Sequence, residues 1–237
     1  MGKIKESTLD GLSGKQKRCN ILCGSVAFVV QLRKEQKKHR KQEETMSTTL
    51  PIKNAEQLEL FKSYYRSEKP NARNYTLIIF GLNSALRISD ILSLTYGDIY
   101  DYRAKEWKEH LVVKEQKTRK TNRIYINREI QQTLEKYAAP SQKESSLWLF
   151  TSQRQKEHPL SRYQAYRIVK DAAVFAGLTA NVSCHSLRKT FGYHAWKQGA
   201  QPALLMNIYN HSTYQITKRY LCIDQDDKDE VFAKIRL

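Results

Sequence analysis

The 237-residue sequence predicts a mainly α-helical fold with one small antiparallel β-sheet, an α+β arrangement. Three observations predict it. Several stretches carry apolar residues at helical spacing behind capping side chains. One pair of strand-like runs flanks a polar, basic connection. No internal repeat appears, and no low-complexity segment beyond a charge block near the N-terminus.

The elements follow in order. "NAEQLELFKSYYRS" reads as a helix capped at Asn54, with Gln57 in the capping-box position. "EKPNARN" is a turn. "YTLIIFGLNSALRISDILSL" reads as one long helical segment, apolar nearly all round and therefore central to the core, ending near "TYGD". "EHLVVKEQKTRKTNRIYIN" is a hairpin, and "REIQQTLEKYAA" is helical again. "LSRYQAYRIVKDAAVFAGL" is a longer amphipathic helix with Gly177 near its C-terminal cap. "CHSLRKTFGYHAWKQGA" and "PALLMNIYN" are two more helices, and "QDDKDEVFAKIRL" forms a short last one.

Charge is the strongest global signal. Lysine and arginine number 41 against 24 acidic residues, a net charge of +17 that attracts polyanions, nucleic acid first among them. Eleven of the basic and five of the acidic residues precede Met46, so most of the surplus belongs to the main body. Four cysteines (Cys19, Cys23, Cys184, Cys222) in a chain this long make no disulfide framework and point to free thiols in a reducing, cytoplasmic setting. The apolar run "CNILCGSVAFVVQL" falls short of the ~18–20 residues that span a membrane, and polybasic sequence follows it where a signal peptide would have a cleavage site. Met46 opens an ordinary protein start. Residues 1–45 are therefore expected to be a basic extension, disordered or not native, and residues 46–237 the functional domain.

Four groups of residues carry potential chemistry. Arg87 lies within the apolar "LIIFGLNSALRISDILSL", where a guanidinium needs a partner, and Asp90 at i+3 is the nearest acid. The segment alone leaves open whether the two make a structural pair or Asp90 holds Arg87 toward a phosphate. "HSLR" places His185 and Arg188 one helical turn apart, a proton carrier beside a planar anion-binding fork. The hairpin gathers Lys117, Arg119, Lys120 and Arg123, which is a solvated turn, a DNA-backbone contact, or the support of a lysine acid. "NHSTYQITKRYLC" adds His211 with two tyrosines, Tyr214 and Tyr220. A phenol that titrates near ~10 needs help to act as a nucleophile.

The order of these groups resembles the tyrosine recombinase (phage integrase) family. "ALRISDILSLTYGDI" is similar to its first arginine box, "HSLRKTFGYHAWKQGA" to its His-x-x-Arg box, and "NHSTYQITKRYL" to its final Gly-His-Ser…Tyr box. The resemblance covers roughly Leu50 to the C-terminus. Asn210 departs from it, standing where the family has glycine, and about 50 leading residues are too few for the family's separate DNA-clamping domain. The resemblance implies a tyrosine recombinase catalytic domain and a site-specific recombinase or integrase of bacterial, phage or mobile-element origin. Such an enzyme cuts and rejoins double-stranded DNA through a 3′-phosphotyrosyl intermediate, with no metal, ATP or other cofactor. It implies Tyr220, nine residues after His211, as nucleophile, and Tyr214 as a packing or DNA-contacting residue. Arg87 and Arg188 neutralise the phosphate, His185 takes the phenol proton, His211 donates to a phosphate oxygen, and Lys117 protonates the leaving oxygen. Lys120 takes that last place in a shifted hairpin register. Asp90 supports Arg87, and Arg119, Lys120 and Arg123 bind DNA. A homotetramer on DNA follows, with an accessory DNA-binding protein as a further partner and no membrane. Two other readings remain: a catalytically silent DNA-binding integrase remnant, and a type IB topoisomerase-like nicking-closing enzyme.

Overall fold

The computed structural model describes residues 49–236, apart from 118, 141–142, 156 and 179–180. The expectation for residues 1–45 lies outside them, as do Cys19 and Cys23. Helix α1 (Ala55–Ser63) starts at the Asn54 cap, whose side chain accepts from the Gln57 amide at 2.9 Å. It passes into a π-helical turn (Tyr64–Glu68), then into α2 (Ala72–Ser84), capped by Asn71. Short α3 (Ile88–Leu92) and one-turn α4 (Tyr96–Ile99) follow.

Two separate two-stranded antiparallel sheets come next, where a single sheet was expected. The extra ribbon pairs β1 (Tyr100–Asp101) with β2 (Glu106–Trp107). The expected hairpin pairs β3 (His110–Lys114) with β4 (Thr121–Tyr125), in a register setting His110 opposite Tyr125 and Lys114 opposite Thr121. Helices α5 (Arg128–Tyr137), α6 (Arg162–Phe175), α7 (Cys184–Lys197), α8 (Pro202–Tyr209), α9 (Tyr214–Tyr220) and α10 (Gln225–Lys234) complete the chain.

Helix α2 is the hub. Nine of its 13 residues are buried, and it packs on α5 and α7. Gly81 permits the closest approach, since a Cβ there would lie 2.6 Å from Leu187 Cδ1 of α7. The main core gathers Phe61, Leu77, Phe80, Leu111, Ile130, Phe150, Val169 and Leu187. A second, smaller cluster of Ala85, Leu205, Tyr209, Leu221 and Ile223 lies under α8 and α9. Among the described residues no helix is long and apolar enough to cross a membrane, and Cys184 and Cys222 are free thiols.

Candidate active site

The long helix expected across residues 75–94 is broken. Helix α2 stops at Ser84, Ala85 turns left-handed (φ 53°), and Arg87 is the extended N-cap of α3. With no continuous helix there, the i, i+3 face that would pair Arg87 with Asp90 does not exist, and the expected pair is replaced by another. Arg87 Nη1 lies 2.5 Å from Glu115 Oε2, and Asn122 Nδ2 donates to Glu115 Oε1 at 2.8 Å. Asp90 turns instead to the hairpin, where its Oδ1 accepts from the Gln116 amide at 3.0 Å. Its buried Oδ2 has no hydrogen-bond partner among the described residues. Asp90 and Glu115, both without solvent exposure, thus anchor the base of the hairpin beside Arg87.

Helix α7 begins behind the Ser183 cap and presents His185 and Arg188 one turn apart. Arg188 is 3% exposed, and its guanidinium lies over the Tyr209 ring, 4.6 Å from the centroid. The Tyr209 hydroxyl in turn donates to the Arg188 carbonyl at 2.8 Å. Gly192 lets this happen: a Cβ there would overlap the Tyr209 ring and lie 2.6 Å from Leu221 Cδ2.

Asn210 closes α8 in the left-handed region (φ 56°, ψ 41°), and the next amide, of His211, bonds back to the Met206 carbonyl at 2.9 Å. Glycine suits that position best and asparagine next, so the departure at Asn210 preserves the turn that delivers His211. The His211 ring stacks on Tyr209, with centroids 5.6 Å apart, and its Nδ1 lies 3.0 Å from Thr217 Oγ1. Helix α9 starts at Tyr214 and ends at Tyr220, so the two tyrosines stand about 9 Å apart along its axis. Tyr220 is the one that enters the cluster. Its hydroxyl lies 3.3 Å from His185 Nε2, and its ring centroid 5.1 Å from those of both His211 and Tyr209.

Electrostatics sort these groups into roles. Burial, reinforced by Lys189, Arg188, Arg87 and Lys117, pulls His185 down to about 4, so at neutral pH it is an uncharged proton acceptor. Burial and the two arginines lower His211 as well. Burial raises the Tyr220 phenol, while Arg188 and Arg87 pull it the other way. Two guanidinium groups, two imidazoles and a phenol thus form one cluster.

An open cleft of about 480 Å³ borders that cluster at Arg87 and His185 and is lined also by Ser89, Gln116, Lys117 and Arg162. Lys117 is therefore on the cleft wall. Arg119 (φ 58°) and Lys120 are exposed at the hairpin tip. Arg123 faces away: it alternates with inward-facing Asn122, and its Nη2 lies 3.2 Å from His110 Nδ1. A roomier recess of about 540 Å³, walled by Tyr96, Tyr137 and Trp148 at the start of α2, includes none of these groups. Among the described residues no three His, Cys, Asp or Glu side chains stand close enough to share a metal ion.

Residues 51–226 match the model of the phage integrase family. The chain belongs to this family of tyrosine recombinases. A probable integrase/recombinase of Bacillus subtilis, YoeC, is 42% identical over 181 residues, covering 76% of this chain and 93% of the relative. The type 1 fimbriae regulatory protein FimE of Escherichia coli K12 is 29% identical over 149 residues, 63% of this chain and 74% of FimE. Among solved structures, XerA recombinase superposes with a TM-score of 0.63 at 18% identity, over 81% of this chain and 68% of XerA. The Tn1549 transposon integrase in complex with circular intermediate DNA gives 0.57 at 19% identity, over 80% and 66%. At these identities the two structures speak for the fold.

The recombinase, a tyrosine-type site-specific enzyme, brings together Arg87, His185, Arg188, His211 and Tyr220, with Lys117 on the adjoining wall. Arg119, Lys120 and Arg123 lie outside the cluster and the cleft lining. Three further residues beside the cluster were not singled out in the sequence. Glu115 partners Arg87 across 28 residues of chain. Arg162, at the first position of α6, lines the cleft. Lys189 places its ammonium 5.3 Å from the Tyr220 ring centroid. The sequence signal for Glu115 was its position two residues before Lys117, which acquires meaning only once the hairpin base meets α3.

Proposed function

We propose that this recombinase cleaves and rejoins double-stranded DNA through a covalent bond between Tyr220 and the 3′ phosphate. The 3.3 Å contact between the Tyr220 hydroxyl and His185 Nε2 carries the reading. In the cleavage step the Tyr220 oxygen bonds to the scissile phosphorus as the bond to the 5′ oxygen breaks. The phenol proton passes to His185, and Lys117 supplies the proton that the leaving 5′ oxygen takes up. Arg87 and Arg188 neutralise the non-bridging oxygens, and losing one such preorganised donor typically raises the barrier by ~2.7–4 kcal/mol. His211, fixed by Thr217 and Tyr209, donates to a phosphate oxygen.

A bound phosphate improves the base. Burial lowers His185 most, and Lys189, Arg188, Arg87 and Lys117 add to it; a bound phosphate offsets the share that comes from Arg188, Arg87 and Lys117, so binding DNA moves His185 part of the way back toward its ordinary range. Proton transfer from Tyr220 thereby becomes easier once substrate is present. Lys117 is favoured over Lys120 as the acid by its place on the cleft wall beside His185. Arg119 and Lys120 at the hairpin tip, and Arg162 at the cleft rim, bind backbone phosphates. Asp90 supports the site by holding the hairpin through Gln116. Strand exchange requires two duplexes and therefore four copies of the chain on DNA, in the cytoplasm, with residues 46–237 as the catalytic unit and an accessory DNA-binding protein as a further partner.

The test is trapping on nicked suicide duplexes randomised around the nick. The wild-type chain yields an adduct that survives denaturation and maps to Tyr220. Tyr220→Phe yields none, while Tyr214→Phe yields one. An adduct that persists in Tyr220→Phe, or a wild-type chain that binds the pool without reacting, refutes the proposal.

A further inference from the structure

The segment 49–53 threads between α7 and the stretch that follows the nucleophile helix. The Ile52 amide donates to Thr190 Oγ1 at 2.9 Å, and its carbonyl lies 2.9 Å from His194 Nε2. Lys53 Nζ bridges Asp224 and Asp227 at 2.9 and 3.0 Å. Beneath this strap sits Lys189, only 2% exposed. Its ammonium donates to the Thr49 carbonyl at 2.6 Å and to the Cys222 thiol sulfur at 3.8 Å.

Burying an ammonium is costly, and a methionine or leucine would fill the same space without that cost. What an apolar residue lacks is the ability to bind two separate segments through one atom. One of those segments needs holding. Cys222, two residues past Tyr220, is left-handed (φ 56°) although it is not glycine, and it ends α9 by bonding its amide to the Arg219 carbonyl at 3.2 Å. The same ammonium faces the Tyr220 ring. We infer that Lys189 is a positioning residue for the nucleophile, clamping the chain that enters the domain at Thr49 to the turn that leaves the nucleophile helix at Cys222. The inference rests on the reading of Tyr220 as nucleophile. It makes the position of the phenol depend on the first described residue of the domain, Thr49, 171 positions before Tyr220 in the sequence.

The test uses the full chain and the same randomised nicked duplexes. Since a misplacement near 1 Å typically costs ~10²-fold, Lys189→Met is expected to slow single-turnover adduct formation by about tenfold or more. Lys189 touches no exposed surface, so non-covalent retention of the duplexes should stay within about twofold, because phosphate contacts dominate it. Alkylation of Cys222 by N-ethylmaleimide, followed by mass spectrometry, should accelerate as the turn loosens. Cys222→Ala removes one end of the clamp at a half-buried position and should slow adduct formation to a smaller degree, which keeps the inference testable if Lys189→Met does not fold. A folded Lys189→Met, or in its place Cys222→Ala, that reacts at the wild-type rate overturns the inference. So does a variant whose reaction and DNA retention fall in parallel. If the wild-type chain retains the duplexes but forms no adduct, the nucleophile reading itself fails, and this inference with it.

Discussion

Glu115, with no solvent exposure, holds the Arg87 guanidinium at 2.5 Å and thereby ties the first arginine of the site to the hairpin that carries Lys117. One carboxylate therefore ties together Arg87 and the hairpin that carries Lys117, both of which line the same cleft. Glu115→Gln keeps the shape and removes the charge. Adduct formation should fall by ~10–100-fold as Arg87 and Lys117 lose their shared anchor. Urea denaturation should show a loss of about 1–3 kcal/mol, the usual cost of weakening a buried hydrogen-bonded pair. A wild-type cleavage rate in a folded Glu115→Gln protein would remove Glu115 from the account.

The free protein should lose stability in mild acid through His185. An unfolded histidine titrates near 6.5, whereas the folded His185 titrates near 4. Between those values the unfolded chain binds a proton that the native chain refuses, so the contribution is present above about 6.5 and is lost as pH falls toward about 4. At about 1.4 kcal/mol per pH unit, the loss reaches at most about 3 kcal/mol. Urea denaturation of wild type and His185→Gln from pH 7 to pH 4 separates this slope from that of the acidic residues. Equal slopes in the two proteins would refute it.

Gly192 should tolerate no side chain. The Tyr209 ring and Leu221 already occupy the space of a Cβ, and both belong to the cluster under α9, the helix that ends at Tyr220. Gly192→Ala should cost about 1–3 kcal/mol through overpacking and displace Tyr209 from beneath Arg188. Thermal denaturation and the adduct rate should both move, the second by more than the first alone accounts for.

Asn210→Gly should be neutral or favourable. The backbone is left-handed there, and the asparagine Nδ2 is buried without a hydrogen-bond partner among the described residues. Glycine removes both penalties, with a gain of up to about 1 kcal/mol. Asn210→Val should instead lose stability by about 1–2 kcal/mol, because a β-branched side chain resists this conformation. A denaturation midpoint that falls in Asn210→Gly would mean that the asparagine amide binds something at this turn.

Local signals made much of the recombinase legible in its sequence. The cap at Asn54, the glycine Gly177 at a helix end and the hairpin each act within a few residues, so the chain advertises them. The candidate residues that the fold gathers, Arg87, His185, Arg188, His211 and Tyr220, stood out in the sequence because each sits in a short box whose composition is unusual. The helix break before Arg87 was not, since Ala85 takes a left-handed conformation with neither glycine nor proline to mark it. That hidden break is also why the pairing of Arg87 could not be read: once the helix ends, the partner comes from across the fold rather than from the next turn. Lys189 was invisible for a related reason, because a lysine beside an arginine in a basic chain looks like one more surface charge until burial distinguishes it.

The strap at residues 49–53 has a practical consequence for anyone who trims this chain to its family-matching part. A version begun at Pro51, the first matched residue, discards the Thr49 carbonyl that accepts from Lys189. Such a shortened protein retains every group that touches DNA in the scheme above, yet it strands an ammonium in the interior beside the tyrosine. Its sluggishness would then be misread as evidence of a missing domain, when two amino acids restored at the front would suffice to test the difference.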